Sequence, residues 1–173
     1  MTKRAVLIDL RLFFGVLTLV AIGTQLTIQL TIQVQLGYSV VNFFSFFTNL
    51  SNLFAAFVLL RGAARLIVRQ APSARDDVLR TAAAVYMTVV GIVFAILLRD
   101  ADLGSLRPWV NTVLHYIMPV VVVADWLFQP PRTRLRTRQI LLVQLFPYCV
   151  PDLPTWPRFS PGLVSISVPE SVD

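Results

Sequence analysis

The chain has 173 residues, a net charge of +6, 56% apolar residue types and only 14% charged ones. Soluble domains run at roughly 45–50% apolar and about 25% charged, so too few polar groups are present to cover a soluble surface. The excess lies in four apolar segments of about 18 to 21 residues, the length that crosses roughly 30 Å of hydrocarbon at about 1.5 Å per residue. An integral membrane protein is expected, and soluble-enzyme, secreted and fibrous readings fall away.

The positive charge is distributed rather than patched. Lys3, Arg4 and Arg11 precede or open the first segment; Arg61, Arg65, Arg69, Arg75 and Arg80 fill the second connection; Arg132, Arg134, Arg136 and Arg138 fill the fourth. The connection near Gln33 to Ser39 has no Lys or Arg, and Arg99 and Arg107 in the third are offset by Asp100 and Asp102. That asymmetry is the positive-inside pattern and predicts a multi-pass protein of the cell (inner) membrane with a cytoplasmic N-terminus. It argues against nucleic acid as the partner. Cys149 is the single cysteine and His115 the single histidine. A disulfide within the chain and a zinc site of three or four His/Cys ligands are therefore excluded. The carboxylates are dispersed, so no metal or cofactor is expected.

In chain order, the first span is expected over about 10–30. Its start resembles a signal peptide, with a possible cleavage site at Ala21-Ile22-Gly23, but Asp9 and Arg11 interrupt that pattern. From Gln25 to Leu36 polar and apolar residues alternate, which in water reads as a strand. In lipid a lone strand leaves its backbone unsatisfied, so helix is the better reading. The second span is expected over 41–60 and the third over 81–98, where Gly91 permits close helix contact. The fourth is expected over 109–128, with Pro108 suited to a first helical turn. Trp109 and Trp126 sit near its two ends as interfacial anchors. Pro119 is expected to kink it, although a neighbour could satisfy the freed carbonyl. Residues 1–138 thus form a transmembrane helical domain, and residues 139–173 a short apolar segment and a proline-rich tail. The fold class is all-α, a polytopic helix bundle.

Polar side chains inside spans are costly, so their positions inform. Asn42, Ser45, Asn49 and Asn52 recur at three- and four-residue steps, with Thr48 beside Asn49, which puts them on one side of a helix. Asn111, Thr112 and His115 lie on adjoining turns of the fourth span. Counted from Val41, Thr48 lies about 10 Å deep; counted from Trp109, His115 lies about 9 Å deep. A hydroxyl and an imidazole therefore share one membrane layer. A Thr hydroxyl becomes a useful nucleophile when an adjacent base takes its proton, and His is the available base. Asn49, Asn52 and Asn111 are candidate donors to an oxyanion or polar contacts to substrate. Asp125 lies some 15 Å further along the helix and is expected to cap it or to pair with Arg132 or Arg134. The plainer reading is that Asn, Ser and Thr join helices by hydrogen bonds, while a lone intramembrane His points to function.

The string Val41-Asn42-Phe43-Phe44-Ser45-Phe46-Phe47-Thr48-Asn49-Leu50-Ser51-Asn52-Leu53, and Trp109-Val110-Asn111-Thr112-Val113-Leu114-His115-Tyr116-Ile117-Met118-Pro119 continuing to Asp125-Trp126, resemble a bacterial family of six-helix integral membrane proteins. The likeness covers about residues 5 to 138. That family is similar, more remotely, to the animal androgen-induced and androgen-dependent membrane proteins, threonine hydrolases that cleave fatty acid esters of hydroxy fatty acids. The resemblance implies a nucleophile at Thr48 and a catalytic histidine at His115. It also implies two further spans, where this chain instead enters its proline-rich tail and reads as a shortened six-helix fold. Hydrolysis of a lipid-like carboxylic ester is the expected function, with membrane lipid and an amphiphilic ester as partners. The alternative is a non-enzymatic membrane protein that binds or passes a small amphiphile or scaffolds a partner.

Overall fold

Long apolar segments that must satisfy their own backbone groups fold as helices. A computed structural model of the chain describes residues 3–33, 47–71, 73–98 and 107–131. These residues form an all-α bundle with four helices long and apolar enough to cross a membrane. Helix α1 is Lys3–Ile28 and runs on as a π-helical turn, Gln29–Gln33. Helix α2 is Phe47–Ile67, α3 is Ala74–Val93 followed by a π turn at Phe94–Leu98, and α4 is Pro108–Phe128. Within α4, the residues Val113–Ile117 form a third π turn.

The alternating stretch in α1 is helical through Gln33. Its threonines are absorbed locally: Thr27 and Thr31, and Thr24 just before the stretch, donate their hydroxyls to the carbonyls of Gly23, Thr27 and Val20 at 2.7–2.9 Å. Each hydroxyl thereby hides in its own helix, and a period-two pattern is tolerated in a period-3.6 element. Residues 41–46, where the second span was expected to begin, and residues 132–173, with the short apolar segment and the tail, lie outside the described residues.

Consecutive helices pack as neighbours and α4 closes against α1, which makes α2 and α4 the facing pair across the middle. Small residues let the backbones approach: Ala21, Ala55, Ala83 and fully buried Met87, Val110, Leu114 and Met118 fill the centre. Gly91 has the expected role, since a β-carbon there would sit 3.0 Å from the Pro119 ring. At α2's end, Gln70 N–H reaches the Arg65 carbonyl and Arg69 N–H the Leu66 carbonyl. This is a Schellman ending with Arg69 at φ 57°, where glycine is usual. Ser73 then opens α3 with a capping box: its hydroxyl accepts from Asp76 N–H, and Asp76 accepts from Ser73 N–H.

Charged residues carry α2 and α3 beyond the apolar stretches, and they do so in pairs. Asp76 meets Arg61 and Arg65, each at 3.0 Å. Deeper, Asp125 of α4 accepts from Arg11 of α1 at 2.7 and 3.1 Å and from Arg80 of α3 at 3.1 Å. Arg80 also donates to the Asp125 carbonyl, and Arg11 to Gln129. Asp125 is thus paired with Arg11 and Arg80, while the expected pairing with Arg132 or Arg134 falls on residues outside the described ones. Local sequence suggested the nearer arginines, whereas helix packing brings the distant ones into the same layer.

Arg11 is only 5% exposed, so removing its partner strands a buried cation. Asp125→Ala is expected to cost about 3–5 kcal/mol of unfolding free energy in detergent. Arg75→Ala, on the exposed first turn of α3, should stay within about 0.5 kcal/mol. Surfactant titration followed by circular dichroism measures both, and equal losses would remove the ion trio as the lock at this end.

Candidate functional site

The opposite end of the bundle gathers the polar residues of α2 and α4. Along α2, Thr48, Ser51, Asn52, Ala55 and Leu59 fall on one helical stripe by their spacing. All of these but half-buried Thr48 are buried. To one side of the stripe, Phe47 and Phe54 pack on Tyr86 of α3, with ring centroids 6.0 and 5.7 Å apart. Thr48 thus lies on the stripe that faces the bundle centre, in the first described turn of α2.

The tie across the centre is made by Asn52, which is 0% exposed. Its amide nitrogen donates to the Thr48 carbonyl at 2.9 Å and to the Leu114 carbonyl at 3.2 Å. The Leu114 acceptor is free for a specific reason. In the π turn, Met118 N–H reaches back to Val113. The next residue in that register is Pro119, which has no N–H to give Leu114. A side chain from the facing helix supplies the missing donor, as the proline led one to expect. Asn52, rather than Thr48, stands level with Leu114, so Thr48 lies one turn nearer the end of the bundle than the equal-depth reading had it.

His115 follows Leu114 and covers that turn. Its Nδ1 lies 3.2 Å from the carbonyl of Asn111, four residues back. A carbonyl only accepts, so Nδ1 carries the proton and Nε2 presents its lone pair. The ring therefore leans along the Asn111 turn, toward the end where Thr48 sits. One face stacks on Phe94 of α3, centroid to centroid 4.2 Å. Phe94 is 1% exposed and also meets Tyr116 edge-on.

Four buried polar atoms at this end have no hydrogen-bond partner among the described residues: Gln25 Oε1, Ser51 Oγ, Asn52 Oδ1 and Asn111 Oδ1. Three are amide oxygens, which can only accept. A buried unsatisfied acceptor costs roughly 1–3 kcal/mol, so this layer is suited to hold a water or a hydroxyl-bearing ligand.

Of the residues singled out in the sequence, the structure joins Thr48 with Asn52 through one amide, which also reaches Leu114, and Asn111 with His115 through one carbonyl. Asn49 is half-buried on α2 beside Thr48 and has partners of its own. The donor role expected of Asn52 does not fit, because both its amide protons are committed to carbonyls and only an acceptor remains. Three members of the site were missed. Gln25 was signalled by being a glutamine inside a span and Ser51 by its place between Asn49 and Asn52, whereas nothing in the sequence pairs Phe94 with His115. Among the described residues, no three His, Cys, Asp or Glu side chains gather to hold a metal ion.

No family model matches this chain, and neither a curated protein nor a solved structure matches it.

The Asn52 tie yields a double-mutant test. Asn52→Ala should lower unfolding free energy by about 1–3 kcal/mol, because the Leu114 carbonyl is left bare. In a Pro119→Ala background a backbone N–H returns to α4, and the same substitution should cost less than half as much. An undiminished cost in the double mutant, read by surfactant unfolding, would separate Asn52 from the proline.

Proposed function

We propose that the chain hydrolyses lipid-like carboxylic esters inside the membrane, with Thr48 as nucleophile and His115 as base. The observation that carries this reading is the Nδ1–H of His115 donated to the Asn111 carbonyl. It presents the second ring nitrogen as a proton acceptor, on a ring leaning toward the end of the bundle where Thr48 faces the centre. The resemblance of the two motifs to a bacterial six-helix family, itself more remotely similar to intramembrane threonine hydrolases, supports the same pair.

In the proposed reaction Thr48 Oγ attacks the ester carbonyl carbon while His115 Nε2 takes the hydroxyl proton. The tetrahedral intermediate collapses, the C–O bond to the leaving alcohol breaks, and His115 returns the proton to that oxygen. Water then attacks the acyl-Thr48 ester and gives its proton to His115. The bond from Thr48 to the acyl carbon breaks, the proton passes to Thr48 Oγ, and a carboxylic acid leaves. Asn111 is the amide proposed to meet the oxyanion, since the Asn52 amide protons are committed and Asn49 has partners of its own. The orphaned oxygens of Gln25, Asn52 and Asn111 suit the attacking water. No metal or cofactor enters the scheme.

The same positive-inside asymmetry supports a cell-membrane protein with Lys3 and Arg4 on the cytoplasmic side and the Thr48 layer toward the opposite face. Amphiphilic esters partition into that layer and would enter laterally between helices. A second reading has an observation of its own: the Asn52 bonds are helix–helix ties, which suits a non-enzymatic protein that binds an amphiphile or holds a partner.

The two readings separate in one experiment. Purified protein in mixed micelles with a fatty acid ester of a hydroxy fatty acid should show turnover and label at Thr48 with a hydroxyl-reactive fluorophosphonate. Thr48→Ala and His115→Ala should each lower turnover by about 10²–10⁴ with the circular dichroism spectrum unchanged. Turnover retained in either variant removes that residue from the mechanism; no labelling, with Thr48→Ala less stable than wild type, favours the non-enzymatic reading.

A further inference from the structure

At the arginine-rich end the helices enclose a concavity, remote from Thr48 and His115. It is a cavity of about 50 Å³ whose wall includes Arg11, Arg61, Arg65 and Arg80, contributed by α1, α2 and α3. The neighbouring carboxylates are Asp76 and Asp77 in the wall and Asp125 behind it, held by Arg11 and Arg80. Arg4 adds a further cation at the edge, donating to the carbonyls of Leu66 and Ile67. Guanidiniums thus outnumber carboxylates here, five to three among the described residues.

The local pairing is incomplete as well as unbalanced. Among the described residues, Arg80 Nε is buried with no hydrogen-bond partner. Arg65 Nε lies 3.0 Å from Asp76 Oδ2, yet its N–H also lacks an acceptor in hydrogen-bonding geometry. Asp76 is already engaged by Ser73 and Arg61, so it is a shared acceptor with little left to give. A buried Arg80 N–H without an acceptor, beside an Arg65 N–H that is ion-paired but not aimed at its carboxylate, is costly in a water-poor setting, and the two specify what would complete the site. The complement is an anion with several oxygens, and planar guanidinium forks match phosphate in that way. At about 10–15 Å³ of such space per water, the volume admits a few heavy atoms, the scale of one phosphate group.

We propose that this cavity binds the phosphate group of an anionic amphiphile, with Arg61 and Arg65 at the entrance and Arg80 at the base. Val58, Leu66 and Leu79 also line it, so a glycerol or acyl portion finds apolar wall beside the charges. Basic pockets between spanning helices at the headgroup level recognise lipid headgroups by this combination. The same chemistry accepts a free phosphate, and the experiment distinguishes the two sources.

The full chain in neutral detergent is titrated with phosphatidylglycerol, phosphatidylcholine or inorganic phosphate, and thermal unfolding and native mass spectrometry are read together. Phosphatidylglycerol is expected to raise the melting temperature and remain bound at one per chain, while phosphatidylcholine does neither. Protection by inorganic phosphate without retention of phosphatidylglycerol would identify a free phosphate as the ligand and keep the site. The double variant Arg61→Gln, Arg65→Gln should weaken binding roughly tenfold, whereas Arg75→Gln, outside the cavity, should change it less than twofold. If the double variant does not fold, Gln70→Glu puts a negative charge on the exposed lining residue Gln70 and should weaken binding without removing an ion pair. Equal effects of phosphatidylglycerol and phosphatidylcholine, absence of binding by all three probes, or as much loss in Arg75→Gln as in the cavity variants would overturn the proposal.

Discussion

The carbonyl of Leu114 is an acceptor that its own helix cannot satisfy, and much of the bundle is arranged around that fact. A π turn shifts the backbone register by one residue, and the shift places Pro119 where the donor to Leu114 ought to be. In water the vacancy is trivial. In a hydrocarbon setting the donor must come from protein, and Asn52 supplies it from the facing helix. That bond fixes α2 against α4 at one height and sets where Thr48 lies with respect to His115. Pro119 also seats on Gly91, where no side chain intervenes. One proline therefore orders α4 against both α2 and α3.

The opposite end is held by charge instead of amides. Asp125 sits between Arg11 and Arg80 and joins α4 to α1 and α3, while Asp76 joins α3 to α2 through Arg61 and Arg65. Buried ion pairs are weak sources of net stability, because desolvation offsets much of their attraction. Their value lies in discrimination: a helix slid by one turn would leave a guanidinium buried alone. Apolar contacts among Ala, Val and Leu tolerate such slips far better. The bundle is therefore positioned by polar ties at both ends and filled by small apolar residues between them.

The four spans were legible in the sequence because hydrophobic length is a local property, and Thr48, Asn52 and His115 stood out as candidates because polar groups inside spans are rare. Partnership was not. Arg11 and Asp125 are 114 positions apart, and no local rule prefers that pair to Asp125 with Arg132 or Arg134. The need for a donor near Pro119 could be read directly, but which carbonyl would need it depends on the π register, invisible to composition. Asn52 illustrates the remaining gap. Its place on the polar stripe was plain, yet its commitment as a donor follows from the packing of α2 across the bundle centre. The alternating stretch after Gln25 posed the reverse problem. A strand pattern became helix because each threonine hydroxyl found a carbonyl four residues back.

For the proposed hydrolysis, the absence of a carboxylate beside His115 among the described residues bears on how its imidazole would work. Asp125 is the nearest acid along α4, and it is held at the far end by two arginines. In a triad the acid fixes the tautomer and offsets the positive charge that forms on the ring. Here those duties divide between two neutral groups. The Asn111 carbonyl accepts the Nδ1 proton and so fixes the tautomer. The face of Phe94, stacked on the imidazole at 4.2 Å, carries the negative side of an aromatic quadrupole, which attracts a transient cation by about 0.5–2 kcal/mol. A carboxylate in the same position would stabilise the imidazolium more strongly, but between turnovers it would itself be a buried charge without a partner. A carbonyl and a phenyl ring avoid that cost, at the expense of weaker support for the protonated base.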